Sequence, residues 1–153
     1  MTDPNTQRVA LVTGGGIRVG RAITLALAEA DYDVVISYHS SEVAAQETRE
    51  AVEVRGRRCE TVCADLSLPA SADVVIDAVR TAFGRLDLLV NSAANFDERA
   101  LLDVDAEAWD TVMALNARAP HLLVRAASDL LRAARGSVVN IVDLAAFQPW
   151  TDY

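Results

Sequence analysis

A short β-prone apolar run followed at once by closely spaced glycines constrains the fold of this chain more than any other feature. Residues 9–12 form the run, and Gly14, Gly16 and Gly20 follow it. From residue 17 to 30 the apolar side chains return with helical spacing. This order predicts a strand, a glycine turn and a helix. The glycines allow a close backbone approach, and the helix start suits a phosphate.

Four further strand-like segments alternate with helix-like ones. The predicted strands are residues 33–38, 58–64, 86–90 and 138–142, and the predicted helices are residues 41–54, 71–83 and 105–135. Ser40 or Ser41 and Asp105 are the expected N-caps, and Gly84 is an expected helix end. Strands that are apolar on both faces require helices on both sides of a parallel sheet. The chain therefore predicts an α/β fold, the front portion of a Rossmann-type doubly wound sheet with about five strands.

Composition and charge exclude several classes of protein. The formal charge is −8 and the sequence has no basic run, so nucleic acid is not an expected partner. No segment is apolar enough for a membrane span, and the first seven residues lack a secretory signal, which predicts a cytoplasmic protein. Cys59 and Cys63 share one face of a predicted strand, and we expect buried thiols in a reducing compartment. Two cysteines with no nearby histidine predict no metal site.

The segments that follow the predicted strands form a map of the expected site. Open α/β sheets bind ligands beyond the carboxyl ends of their strands. The five segments are residues 13–20, 37–41, 64–66, 91–96 and 143–148. We expect all five to converge on one crevice.

The segment after the second strand indicates which dinucleotide is bound. An NAD site usually has a carboxylate there for the ribose 2′-hydroxyl, whereas a 2′-phosphate requires cations or hydrogen-bond donors. Here the strand ends in Ser37-Tyr38-His39-Ser40-Ser41, and the first carboxylate is Glu42. With Arg18 in the neighbouring turn, the sequence predicts NADP(H) in preference to NAD(H). The alternative for the two serines is that they only cap the next helix.

The first turn, T-G-x-x-x-x-x-G, resembles that of the short-chain dehydrogenase/reductase family, and Arg18 resembles the T-G-x-x-(K/R)-R-x-G turn of its pteridine reductases. The family usually has a glycine at the position of Arg18, and Asn91-Ser92-Ala93-Ala94 departs twice from its N-N-A-G motif. The resemblance implies that Asp65 binds an adenine amino group, although an aspartate there can also simply begin a turn. The cofactor contacts predicted from the strand exits and from this resemblance together are Gly14, Gly16, Ile17, Arg18, Val19, Gly20, His39, Ser40, Ser41, Asp65, Leu66, Asn91 and Ala93.

Candidate catalytic residues also come from this resemblance. Proline lacks an N–H, so Pro120 should kink the last predicted helix near Asn116, which in the family holds a water of the proton relay. An ordinary proline kink is the alternative. Asp143 stands where most members have a catalytic serine and pteridine reductases have aspartate. Phe96 and Tyr153 match substrate-contacting positions of that subgroup, although an isolated loop phenylalanine more often plugs a core.

The family's catalytic Y-x-x-x-K pair has no match in this sequence. Tyr153 stands closer to Asp143 than the catalytic tyrosine does, and no lysine lies near it. We therefore expect residues 1–7 to be a flexible N-terminus and residues 8–153 to form a dinucleotide-binding domain that is incomplete at its C-terminus and inactive alone. The resemblance implies an NADP(H)-dependent, pteridine reductase-like oxidoreductase acting on a carbonyl or imine of a small, for example heteroaromatic, substrate, and a homo-oligomer in the complete fold. The alternative is a non-catalytic dinucleotide-binding or interaction module.

Overall fold

The structure of this protein is a computed structural model that describes residues 7–148, without the side chains of residues 101 and 146. Strands and helices alternate along this part of the chain. They are β1 Arg8–Thr13, α1 Arg18–Glu29, β2 Tyr32–Tyr38, α2 Glu42–Val54, β3 Cys59–Cys63, α3 Ser71–Phe83, β4 Leu88–Asn91, α4 Ala106–Met113, a π-helical turn Ala114–Arg118, α5 Ala119–Ala126, α6 Ser128–Ala134 and β5 Ser137–Asn140. Two short 3₁₀ turns, Leu101–Asp103 and Leu144–Ala146, precede α4 and follow β5.

The five strands form one parallel sheet in the order β3-β2-β1-β4-β5. The chain crosses from the outer strand β3 back to β4, so the exits of β1 and β4 lie side by side where the strand order reverses. Ligands of open α/β sheets bind outside the carboxyl ends of the strands at such a switch point. The predicted Rossmann-type fold is confirmed.

Each face of the sheet has its own hydrophobic core. Leu11 packs on one side in a cluster with Val75 and Leu123, which belong to α3 and α5. Val12 packs on the other side with Ala28 of α1 and Val52 of α2. Neighbouring strand residues point to opposite faces, and this explains why β1 is apolar at consecutive positions.

Two of the predicted helix ends are present as expected. Gly84 follows α3 with φ +65, a left-handed conformation that glycine adopts without a Cβ clash. Asp105 caps α4, because its side chain accepts a hydrogen bond from the Ala108 N–H. Ser41 occupies the predicted N-cap position of α2, but its side chain makes no capping hydrogen bond there.

The predicted continuous helix over residues 105–135 is wrong in detail. It is divided into α4, the π turn, α5 and α6. Pro120 lies at the start of α5, and its missing N–H removes the donor that an α-helix would supply to the Asn116 carbonyl. The chain accommodates this with the wider π turn at Ala114–Arg118, which replaces a simple kink.

The two cysteines have different surroundings, which corrects the prediction of two buried thiols. Cys59 is buried, and burial raises the pKa of its thiol to about 12. Cys63 is exposed at the end of β3, an outer strand of the sheet. Among the helices of the described part of the chain, none combines the length and the hydropathy needed to cross a membrane.

Candidate functional site

A crevice of about 450 Å³ lies beyond the carboxyl ends of the strands. Segments that follow β1, β2, β3 and β4 supply most of its walls, as the strand-exit rule predicts. The exit of β5 contributes only Ile141, so the expected contribution of residues 143–148 is wrong. The lining residues are Gly14, Ile17, Arg18, Val19, Gly20, Ser37, Tyr38, His39, Ser40, Ser41, Ala64, Asp65, Leu66, Ser92, Ala93, Ala94, Leu115 and Ile141.

The glycine turn forms the floor of this crevice. Gly14 has φ +63, and its N–H donates to the Ser37 carbonyl at 2.9 Å, which joins the turn to the end of β2. A Cβ on Gly14 would lie 3.2 Å from Cα of Ala93, and a Cβ on Gly20 would overlap the Gly14 carbonyl oxygen. The turn therefore requires glycine at both positions, because a side chain would push the walls apart.

Buried threonine hydroxyls hold the backbone of this turn. Thr24 of α1 donates to the Gly15 carbonyl at 3.0 Å. The single O–H of Thr48 in α2 is shared between the Gly16 carbonyl at 3.1 Å and the Ala44 carbonyl of its own helix at 2.7 Å. A Cβ on Gly16 would lie 2.9 Å from Cα of Ala45, so α2 packs directly against the turn. Buried carbonyl groups need such partners, and here they come from two different helices.

Thr13 connects the turn to the opposite wall. Its hydroxyl oxygen accepts hydrogen bonds from the N–H groups of Ser92 and Ala93, both at 2.9 Å. Thr13 itself is buried. The last residue of β1 thus fixes the loop that follows β4.

The N-terminus of α1 opens into the crevice without a cap of its own. Ile17 occupies the N-cap position and offers no acceptor, and the first turn contains no acidic residue. The first N–H groups of a helix have no intrahelical partner. Because residues 17–20 line the crevice, these groups and the positive end of the helix dipole face a space that fits a phosphate.

Arg18 lies at the start of α1 and lines the same crevice as the exit of β2. It has φ +47, the left-handed conformation that a glycine would adopt more readily at this position. Within residues 7–148 no carboxylate pairs with its guanidinium. His39, Ser40 and Ser41 line the same crevice, so one crevice contains a cation and several hydrogen-bond donors.

Tyr38 ends β2 and lines the crevice beside His39. Burial raises the pKa of its phenol, and the carboxylate of Glu42 and the Cys63 thiol raise it further. The phenol therefore remains protonated through neutral pH and can donate a hydrogen bond.

Asp65 forms a compact turn after β3. Its Oδ1 accepts from the Ser67 hydroxyl at 2.7 Å and from the Ser67 N–H at 2.9 Å. Both hydrogen bonds lower the pKa of the carboxyl group, and the bond from the hydroxyl has the larger effect. Asp65 therefore begins a turn and also lines the crevice. The two interpretations offered by the sequence are compatible, because the turn uses only one carboxylate oxygen.

Asn91 lies behind the crevice wall. Its amide Nδ2 donates to Oδ1 of Asn140 at 2.8 Å, and the two residues are also register partners of β4 and β5. The Asn91 Oδ1 is buried without a hydrogen-bond partner in the described part of the chain. This side chain joins two strand ends, while Ala93 forms the wall itself.

Asn116 joins the π turn to the loop after β4. Its Oδ1 accepts from the Asn95 N–H at 3.0 Å, and its Nδ2 donates to the Asn95 carbonyl at 2.9 Å. Both ends of the amide are thus committed to the backbone of one residue.

Comparison with known proteins adds the family. The sequence model of a family described as short chain dehydrogenase matches residues 8–153. The chain belongs to the short-chain dehydrogenase family. A curated relative, the short-chain dehydrogenase/reductase FrzI of Cladobotryum sp., is 35% identical over 139 residues, which are 91% of this chain and 54% of the relative. The chain spans about half the length of the curated relatives it matches.

Solved structures of short-chain dehydrogenases have the same fold. A short chain dehydrogenase from Burkholderia cenocepacia J2315 in complex with NADP matches with a TM-score of 0.86 and 33% sequence identity. The matched region is 97% of this chain and 60% of the Burkholderia chain. A metagenomic short-chain oxidoreductase in complex with NADP matches with a TM-score of 0.88 and 30% sequence identity. The matched region is 98% of this chain and 68% of the metagenomic chain. This short-chain dehydrogenase chain therefore corresponds to the part of the family fold that contains the glycine turn.

The remaining predicted residues lie around the crevice or outside the described residues. Asp143 is exposed, and its Oδ1 accepts from the Ala145 N–H at 2.7 Å as the cap of a 3₁₀ turn. Phe96 is 62% exposed in the loop after β4, so it does not plug a core. Neither residue lines the crevice, and Tyr153 lies outside the described residues.

Of the cofactor contacts predicted from the resemblance, all except Gly16 and Asn91 line the crevice. Sequence patterns did not indicate the buried hydroxyls of Thr24 and Thr48, which hold the glycine turn, or Leu115, which lines the crevice. A threonine on the inner face of each helix was the available signal, but its partner cannot be identified from spacing alone. Residues 7–148 contain no cluster of three or more metal-ligating side chains.

Proposed function

We propose that this chain forms the cofactor-binding part of an NADP(H)-dependent oxidoreductase that resembles pteridine reductases. One observation carries the cofactor preference, namely that Arg18, His39, Ser40 and Ser41 line the same crevice. The first carboxylate after β2 is Glu42, already inside α2, so no acidic side chain ends the strand to accept from a ribose 2′-hydroxyl. A guanidinium with neighbouring donors suits a 2′-phosphate.

The residues of the crevice fit the other parts of such a dinucleotide. The uncapped start of α1 suits the pyrophosphate, and the Asp65 carboxylate suits an adenine amino group. Ala93 has no long side chain that would keep a ribose from its backbone. When bound, NADPH supplies a hydride equivalent, and this chain's residues bind and orient it.

The substrate that we propose is small and carries a reducible carbonyl or imine, with a heteroaromatic ring as the leading class. Support comes from Phe96, which is exposed in the loop after β4, the loop whose backbone Thr13 and Asn116 hold at Ala93 and Asn95. An exposed aromatic face in a fixed loop can stack on a planar ring. Asp143 is the residue of this chain that we assign to orienting the substrate.

The cofactor preference is tested by calorimetric titration of the protein with NADPH and NADH. We expect NADPH to bind at least about tenfold more tightly, because a charge-assisted contact contributes roughly 1.5–3 kcal/mol. Arg18→Ala should remove most of this ratio. Arg18→Gly should remove it too, while relieving the left-handed backbone conformation at this position.

Arg21→Ala is the matched control for this titration. Arg21 lies on the same helix and is exposed, but it does not line the crevice, so its loss should leave the ratio unchanged. Equal binding of NADPH and NADH by the unmodified protein would refute the cofactor proposal.

The substrate class is tested by titrating a dihydropteridine into the protein saturated with NADP. Phe96→Ala should weaken binding by about two- to tenfold, since an aromatic pair contributes roughly 0.5–1.5 kcal/mol beyond its buried area. Phe96→Tyr keeps the ring and should bind as the unmodified protein does. If Phe96→Ala binds the pteridine equally well, the stacking assignment is wrong.

A further inference from the structure

The π turn between α4 and α5 is fastened to the loops on two sides of the crevice. Asn116 holds the backbone of Asn95 after β4 through two hydrogen bonds. Arg118 reaches the other way, and its Nη2 donates to the Ser67 carbonyl after β3 at 2.7 Å. Leu115 of the same turn lines the crevice itself. One short element therefore contacts the loops that follow β3 and β4.

The carbonyl held by Arg118 belongs to the same compact turn as the Asp65 carboxylate. Oδ1 of Asp65 accepts both the N–H and the hydroxyl of Ser67, and the Asp65 carbonyl accepts from the Leu68 N–H at 3.0 Å. Leu66, between them, is buried in the core cluster. A displacement of the Ser67 backbone would therefore carry the carboxylate with it.

Arg118 does not line the crevice, and no ion pair engages it within the described part of the chain. Its charged donor is used on a neutral backbone carbonyl instead. A hydrogen bond from a charged donor is stronger than one between neutral groups. This contact spans 51 residues of sequence, so it fixes the relative position of two elements that the chain does not otherwise join directly.

We propose that Arg118 is a positioning residue for adenine recognition, which acts by holding the Ser67 carbonyl so that the Asp65 carboxylate faces an adenine amino group. This inference rests on the proposed dinucleotide function. Arg118 makes no contact with the nucleotide. Its effect is therefore specific to the base and leaves the phosphate contacts of α1 unchanged.

The test compares NADPH with its deamino analogue, in which hypoxanthine replaces adenine and the amino donor is absent. Calorimetry of the unmodified protein should show NADPH binding roughly tenfold more tightly than the analogue. Asp65→Ala should abolish this ratio. Arg118→Ala should reduce it to below about threefold, and Arg118→Lys should restore most of it, because an ammonium group can also donate to the carbonyl.

Arg125→Ala is the matched control, since Arg125 is exposed on the neighbouring helix α5. It should keep the full ratio. In the Asp65→Ala background, Arg118→Ala should change the ratio no further. If Arg118→Ala weakens both nucleotides equally, the residue has only a general structural role and the proposal is overturned.

If the proposed dinucleotide function is wrong, the result differs, because the unmodified protein then binds neither NADPH nor its deamino analogue. In that case hydrogen exchange decides the positioning role. The Ser67 amide, which donates to Asp65, should exchange several-fold faster in Arg118→Ala than in Arg125→Ala. Unchanged exchange at this amide overturns the proposal.

Discussion

The hydroxyl of Thr13 shows how much of the candidate site depends on single buried atoms. It receives the N–H groups of Ser92 and Ala93 and so connects the ends of β1 and β4. The hydroxyls of Thr24 and Thr48 do the same for carbonyl groups of the glycine turn. A buried backbone group without a partner is costly, so each hydroxyl stabilises the loop whose N–H or carbonyl group it satisfies.

Replacing Thr13 by valine should therefore destabilise the protein. The variant keeps the shape of the side chain but leaves two N–H groups without an acceptor, and we expect the free energy of unfolding to fall by about 2–4 kcal/mol. Urea denaturation measures this change. Thr13→Ser retains the hydroxyl oxygen, so its free energy of unfolding should fall much less, by about 1 kcal/mol or below. Equal stability of the valine variant and the unmodified protein would contradict the role assigned to this hydroxyl.

The π turn is the irregular part of an otherwise regular set of helices. Pro120 cannot donate to the carbonyl four residues earlier, and the backbone widens at Ala114–Arg118 instead of bending only slightly. The wider turn changes the directions in which its own side chains point relative to an unbroken helix. Two of these side chains, Asn116 and Arg118, reach Asn95 and Ser67 in the loops that follow β4 and β3.

Burial differs between the central strands and the edge strand β5 of the sheet. The four residues of β5 are all exposed, and the strand ends the hydrogen-bonded order of the sheet in the described residues. By contrast, the central residues of β1 and β2 are buried on both faces. An edge strand with apolar side chains pairs readily with other chains.

The 153-residue polypeptide should therefore self-associate through β5 despite its charge of −8. Sedimentation velocity should show a sedimentation coefficient that rises with protein concentration. Val139→Lys places a charge on the edge strand and should reduce association. Val43→Lys, at an exposed position on α2, changes the charge equally and should not. A compact monomer at every concentration would contradict this expectation.

Much of the fold was predictable because the relevant signals are local. The run of apolar residues before the glycines predicts β1 and its turn, and Gly84 and Asp105 mark helix ends by their own backbone and side-chain chemistry. Alternation of strands and helices then predicts a parallel sheet. The strand-exit rule located most of the crevice without any knowledge of contacts.

The tertiary structure alone decided which side chains meet. Cys59 and Cys63 share one face of the strand pattern, yet only Cys59 is buried, in the cluster that also contains Val52 of α2. Asp143 follows a strand as Asp65 does, but it caps a 3₁₀ turn and stays out of the crevice. The hydrogen bond from Arg118 to Ser67 joins residues far apart in sequence. Local sequence sets the conformation of each segment, but such contacts depend on how the helices pack on the sheet, and this is fixed only when the whole core forms.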